Sequence, residues 1–162
     1  LVRWPGVIQP GSSSAGMALN VDFAPTLLAA AGANVPADMQ GRSLVGVLKS
    51  TPPADWRTSF YYHYYEYPVP HHVRPHYGVV TERHKLVHVY GPDTDYWELF
   101  DLAADPHELA SIYDRAEYAE VQGALHRELS RLRTELKVPE QDAPEASGRR
   151  IDGASGRPSK VK

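Results

Sequence analysis

The apolar pattern of this chain changes period once, and that change limits the folds open to it. From Phe60 to Leu102, aromatic and β-branched residues recur in four runs: Phe60 to Glu66, Tyr77 to Thr81, Lys85 to Tyr90 and Tyr96 to Leu102. A spacing of two is that of a strand with one face buried. Thr81-Glu82-Arg83-His84 and the turn-rich Gly91-Pro92-Asp93-Thr94-Asp95 separate the later runs and predict hairpins. From Tyr118 the spacing becomes three and four, through Val121, Leu125, Leu129, Leu132 and Leu136. That is one stripe of a helix. Glu117 and Glu120 near its start and Arg131, Arg133 and Lys137 near its end have the signs that the helix dipole favours. The simplest arrangement is an α+β domain over residues 59–139, a small four-stranded antiparallel sheet packed by a long C-terminal helix.

The stretch before it reads differently. Leu1 to Ile8 resembles the end of a strand running into a Pro5-Gly6 turn, and Gln9 to Gly16 is a Gly/Ser-rich loop. Asp22 is placed to cap a helix with Pro25 in its first turn, a stripe of Phe23, Leu27, Leu28 and Ala31, and Gly32 as its stop. A second short helix is predicted over Ser43 to Lys49, ahead of the Thr51-Pro52-Pro53 breaker. Residues 1–58 therefore read as the last strand and helices of an α/β domain whose sheet lies mostly outside the chain. The chain opens on Leu1 without an initiator Met, which predicts a start further upstream. Residues 140–162 carry no periodicity and predict a disordered tail.

Composition excludes several functions. Of 162 residues, 17 are Lys or Arg and 20 Asp or Glu, a net charge of −3, so there is no electrostatic footprint for nucleic acid. No apolar run approaches the roughly 20 residues that span a bilayer. Neither a nucleic acid nor a membrane is expected as a partner. With no cysteine, the chain can supply no disulfide, no thiolate metal ligand and no cysteine-derived nucleophile. Residues 60–90 hold six of its eight histidines and seven of its ten tyrosines. Such side chains offer both packing surface and a hydrogen-bonding tip, which suits a wall facing a polar, anionic ligand.

Four strings, in order, resemble the C-terminal third of the type I sulfatases of the alkaline-phosphatase-like superfamily. They are Val2-Arg3-Trp4-Pro5-Gly6-Val7-Ile8; Val21-Asp22-Phe23-Ala24-Pro25-Thr26-Leu27-Leu28 followed by Met39-Gln40-Gly41-Arg42-Ser43-Leu44; His76-Tyr77-Gly78-Val79 with Lys85-Leu86; and Trp97-Glu98-Leu99-Phe100-Asp101-Leu102 with Asp105-Pro106-His107-Glu108-Leu109. The resemblance covers about residues 1–138 and is closest to the branch of N-sulfoglucosamine sulfohydrolase-like enzymes and glucosamine-6-sulfatases. It implies hydrolysis of sulfate esters or sulfamates on saccharides such as glycosaminoglycan units. It also implies a periplasmic or extracellular location, a partner N-terminal catalytic domain, and calcium and formylglycine in the intact enzyme. The formylglycine would arise from a Cys or Ser in a Cys/Ser-x-Pro/Ala-x-Arg string. No such string occurs here. The chain alone is therefore predicted inactive, with no catalytic residue and no metal ligand of its own.

In this family the C-terminal subdomain borders the active-site pocket, which points to His71, His72, Arg74 and His76 as substrate-binding residues. They lie on the Pro-punctuated connection before the Gly78 strand, where a loop can project side chains. Arg74 suits a sulfate or uronate, and the imidazoles suit sugar hydroxyls. A metal site built from His71, His72 and His76 is disfavoured, because the first two are adjacent and no carboxylate has helpful spacing. Tyr61, Tyr62, Tyr64, Tyr65 and Tyr67 read as packing between subdomains, and Trp97 as a core or interface aromatic. Two positions depart from many relatives: Val80 stands where Arg is common, and His84 where Tyr is. The competing reading is a free-standing, noncatalytic scaffold or binding domain for anionic glycans; a phosphoester-hydrolysing relative is a third.

Overall fold

A computed structural model describes residues 1–67 and 72–139, and the chain divides into two compact units after Phe60. In the first unit, a 3-10 turn over Asn20–Asp22 leads into α1, Phe23–Ala30. Gly32, at φ 69°, ends α1 by donating to Ala29 O (3.2 Å) while Ala33 N–H reaches Leu28 O (2.9 Å). Those two bonds occupy carbonyls that the helix end would otherwise leave open, and the positive φ is why glycine stands there. The second helix, α2, is Val45–Leu48, shorter than the sequence reading, and its Val47 and the preceding Leu44 are buried. Thr26 ties this unit together: its hydroxyl donates to Asp22 O at 2.6 Å and accepts from Leu44 N at 2.8 Å. Leu1 to Ile8 forms no strand. It turns instead at Trp4, whose carbonyl accepts from Val7 N (3.1 Å) and Ile8 N (3.0 Å). A strand needs a ladder partner, and none pairs with it among the described residues.

From Tyr61 on, the second unit holds all but the first two residues of a sheet in the order β1-β2-β3-β4, with β1 Ser59–Tyr64, β2 His76–Thr81, β3 His84–Gly91 and β4 Thr94–Asp101. The β2/β3 and β3/β4 pairs are antiparallel, with Tyr77 opposite His88 and His88 opposite Trp97. Thr81 fixes the first hairpin with its side chain, accepting from His84 N at 2.9 Å and donating to His84 O at 3.0 Å. This register sorts the residues onto two faces. On one, Tyr77, Val79, Leu86 and Leu99 meet Ile112 and Leu125, Leu129 and Leu132 of α3, Ala119–Glu135. Leu125, Leu129 and Leu132 sit four and three residues apart, so one helical stripe is buried, and each such leucine contributes about 1.5–3 kcal/mol by leaving water. On the other face Val87, Val89 and Phe100 form a second cluster with Tyr62 and Leu102. Gly78 makes that cluster possible: a Cβ there would lie 2.1 Å from Leu86 O and 3.0 Å from the Tyr62 ring.

Candidate functional site

The face of the sheet turned away from α3 carries a cleft of about 330 Å³. Alternation along the strands sends Tyr62 of β1, His76 of β2, Lys85 of β3 and Glu98 of β4 into it, and Arg74 and Glu108 join from flanking loops. The structure thus brings Arg74 and His76 to one cleft. His72 is exposed in the connection before β2 and does not line it. His71 lies outside the described residues.

Each polar group in the cleft has a definite setting. The Arg74 guanidinium forms a bidentate pair with Asp93 in the β3/β4 turn (2.7 and 2.8 Å), and its Cζ lies 4.7 Å over the Tyr67 ring. A planar fork held at one edge and stacked on a ring is a preorganised cation. His76 donates Nδ1–H to Arg74 O at 2.8 Å, which leaves Nε2 as the ring nitrogen not engaged by that bond. That ring stacks on Tyr64 at 5.3 Å and meets Tyr62 edge-on at 5.6 Å. Lys85 Nζ pairs with Glu108 Oε2 at 2.5 Å and lies 5.6 Å from the Tyr62 ring centroid. The Tyr62 hydroxyl is buried with no hydrogen-bond partner. Burial first, then the charges of Glu108 and Glu98, push its ionisation well above the usual phenol range. It is therefore a protonated donor at neutral pH and not a base.

The helix side of the sheet holds the other half of the aromatic run. His63 is bonded at both nitrogens, to Tyr61 OH (2.9 Å) and Tyr90 OH (2.7 Å), and its ring lies 3.6 Å from that of Tyr65, tilted by 31°. Burial, then the charges of Arg133 and His76, push it down to about 4. With both nitrogens bonded and the ring neutral, His63 organises packing. His88 is stacked on Trp97 at 4.3 Å and 12° and pairs with Asp95 at 2.6 Å. Trp97, read as a core or interface aromatic, is partly buried against the core cluster. Asp22 stands at the N-cap of α1 but makes no side-chain cap bond. Its fully buried carboxylate instead accepts from Leu19 N (2.8 Å), Arg42 N (2.8 Å) and both ends of the Arg57 guanidinium.

What this arrangement can do is bind. Among the described residues no three His, Cys, Asp or Glu side chains come together as a metal site, and the chain contains no cysteine. The described residues therefore offer no carboxylate cluster that would hold calcium, and the sequence has no Cys/Ser-x-Pro/Ala-x-Arg string to become formylglycine. Among the described residues no helix is long and apolar enough to cross a membrane. The sequence reading missed Tyr62, Lys85, Glu98 and Glu108 as cleft residues. Strand alternation groups Tyr62 with Tyr64, but Lys85 and Glu98 join them only once the β3/β4 register is known.

The cleft sits in a chain with recognisable relatives. A family model described as N-sulphoglucosamine sulphohydrolase, C-terminal, matches residues 1–135. An N-acetylglucosamine-6-O-sulfatase of Bacteroides thetaiotaomicron (strain VPI-5482) is 46% identical over 147 residues, 90% of this chain and 26% of the relative. A multifunctional alkaline phosphatase superfamily protein, PehA of Trinickia caryophylli, is 30% identical over 129 residues, 72% of this chain and 23% of that protein. Among solved structures, that of BT4656 in complex with its substrate D-glucosamine-2-N,6-O-disulfate superposes with a TM-score of 0.81 at 47% identity, covering 85% of this chain and 28% of that one. The chain spans about a quarter of the length of each of these proteins.

Proposed function

Because this chain belongs to the family of N-sulphoglucosamine sulphohydrolase C-terminal domains, we propose that it is the C-terminal part of a sulfatase acting on sulfated saccharides. The observation that carries this reading is the 46% identity to an N-acetylglucosamine-6-O-sulfatase across 90% of the chain. The bond cleaved is a sulfate ester or a sulfamate, on a sugar such as a glycosaminoglycan unit. The nucleophile and calcium that the family's chemistry uses belong to the rest of the polypeptide, its N-terminal catalytic domain, which makes these residues inactive alone. Residues 1–58 are the end of that α/β domain, 59–139 the sheet-and-helix subdomain and 140–162 a tail. Phe23 and Leu27, four residues apart on α1 and 59% and 70% exposed, pack on that remainder. The protein works in the periplasm or outside the cell, where sulfated glycans are met.

In this reading the segment from His71 to His76 forms part of the rim of the substrate pocket. Arg74, already oriented by Asp93, offers its remaining guanidinium donors to a sulfate or carboxylate, and His76 Nε2 accepts from a sugar hydroxyl. Their role is to hold and select the sugar. The test is steady-state kinetics on the full-length protein with Arg74→Gln plus His76→Phe. We expect kcat/KM on 6-sulfated N-acetylglucosamine to fall roughly tenfold, as one or two lost polar contacts would cause, with a small aryl sulfate little affected. Equal losses on both substrates would sink the rim assignment, and no sulfate release from either by the wild-type protein would sink the sulfatase reading.

A further inference from the structure

The register of β4 sets Tyr96 and Glu98 side by side on the sheet face turned away from α3. They are two residues apart, so both side chains leave the same face, and across the pair with β3 they stand opposite Val89 and Val87. Both line the cleft of about 330 Å³, where Val87, Val89 and Phe100 supply a buried apolar floor. Tyr96 is 48% exposed, and among the described residues its ring meets no other aromatic ring and no cation.

The charges of this cleft do not cancel. Arg74 is held by Asp93 and Lys85 by Glu108. Glu98, half-buried on its strand, is left as a carboxylate with no ion pair or hydrogen bond among the described residues. After burial and the charge of Glu108, the charge of Glu98 is the further cause that disfavours ionisation of Tyr62, so it acts inside the cleft. A carboxylate without a partner accepts hydrogen bonds and repels a second anion. An exposed phenol ring beside it offers a flat apolar surface. The pair matches a sugar ring, whose C–H groups lie on the aromatic face while its hydroxyls donate to the carboxylate. Phe23 and Leu27 of α1 are also exposed but differ in kind, since their side chains present only carbon.

We propose that Tyr96 and Glu98 form a subsite for an uncharged sugar unit, stacked on the Tyr96 ring and donating its hydroxyls to the Glu98 carboxylate. Resting on the saccharide reading above, this site adds a second unit to the ligand: the anionic group goes to Arg74, and a ring without one goes to β4. A ring carrying a sulfate or carboxylate is disfavoured there by the charge of Glu98.

The experiment is calorimetric titration of the full-length protein with two unsulfated probes, the neutral disaccharide of N-acetylglucosamine and a glucuronate-N-acetylglucosamine disaccharide. The neutral probe is expected to bind saturably. Tyr96→Ala should weaken that binding about tenfold, whereas Tyr96→Phe, which keeps the ring, should retain it. Glu98→Gln keeps the shape and removes the charge, so it should shift the ratio of the two affinities toward the glucuronate probe by about tenfold. A merely structural role for Glu98 would lower both affinities together and leave the ratio where it was. No saturable binding of the neutral probe overturns the proposal, as does an affinity unaltered in Tyr96→Ala or a ratio unaltered in Glu98→Gln. The titration uses no sulfate release, so a protein that binds the neutral probe in this way but hydrolyses no sulfate loses the sulfatase reading alone, and one that releases sulfate without binding the probe loses only the subsite.

Discussion

Replacing Asp22 by Asn keeps the shape of the side chain and removes its charge, which isolates what the buried carboxylate does. Asp22 is 0% exposed, and Arg57, its partner, has a side chain 12% exposed. Burial by itself would raise the ionisation of Asp22, but the Arg57 guanidinium and the N–H groups of Arg42 and Leu19 outweigh it and hold the carboxyl below its usual range. In the Asn variant, Arg57 is left as a buried cation without its counter-charge. The amide NH₂ also faces the Leu19 or the Arg42 N–H, because one of those donors approaches each oxygen. Breaking a buried pair in this way costs about 3–5 kcal/mol, a large part of the 5–15 kcal/mol that holds a typical domain. The internal control is the Arg42–Asp55 pair, 3.0 Å long but with side chains 36% and 79% exposed, for which Asp55→Asn should cost about 0.2–1 kcal/mol. Thermal melting of the full-length protein reads the global effect. Hydrogen exchange at the Leu19 and Arg42 amides reads the local one, expected to quicken by roughly two to three orders of magnitude, since 1.4 kcal/mol is a factor of ten. If Asp22→Asn shifts neither measurement more than Asp55→Asn does, the buried pair is not what holds residues 19–57 together.

Two further expectations follow from the second unit. Gly78→Ala should lower the melting temperature and loosen the β2/β3 amides, costing about 1–3 kcal/mol, because the new Cβ meets the Leu86 carbonyl at 2.1 Å. Gly91→Ala, whose nearest neighbour is Asp93 Oδ1 at 3.8 Å, should be tolerated, and equal melting of the two variants would remove the steric argument. Asp101 is held at about 2, chiefly by the Arg83 guanidinium and also by the Ala103 and Ala104 N–H groups. Its folded value lies below the unfolded one, so its contribution is intact above about pH 4 and is lost as pH falls toward 2. Arg83→Gln should raise the Asp101 value measured by carboxyl NMR titration; an unchanged value would assign the depression to the backbone donors instead.

Where the sequence was legible, the signal was local. The four strands and α3 follow from spacings of two and of three to four, and the hairpins from Thr81–His84 and Gly91–Asp95, features set by neighbours a few residues apart. Boundaries moved where pairing extends a strand: β4 starts at Thr94 because Thr94 pairs with Gly91 across the turn. What failed to show was long-range. Asp22 has the composition and position of a helix cap, and nothing nearby reveals that its carboxylate is taken by Arg57, 35 residues on. Leu1 to Ile8 has the residues of a strand, but apolar spacing does not say whether a partner strand is present. The cleft behaves likewise. Arg74 and His76 could be named from a loop before a strand, whereas Lys85 pairs with Glu108, 23 residues away.

The same distinction divides the aromatic and histidine run that most suggested a ligand site. Because strand side chains alternate, Tyr61 and His63 share the helix side with Tyr77, His88 and Tyr90, while Tyr62 and Tyr64 share the opposite side with His76. Among the described residues the run is thus two surfaces, each built from every second residue along a strand, with His63 and His88 on one and His76 on the other. One surface leads through Trp97 to Arg133; the other leads through Tyr62 to Lys85 and Arg74. The two faces are separated by a sheet whose central residues Val79, Leu86 and Leu99 are 0% exposed. Substitutions in separate clusters of this kind act additively, so the effects of Phe100→Ala on one face and Leu129→Ala on the other should sum in the free energy of unfolding. Coupling between them beyond about 0.5 kcal/mol in a double-mutant cycle of thermal melts would mean that the two faces pack as one unit.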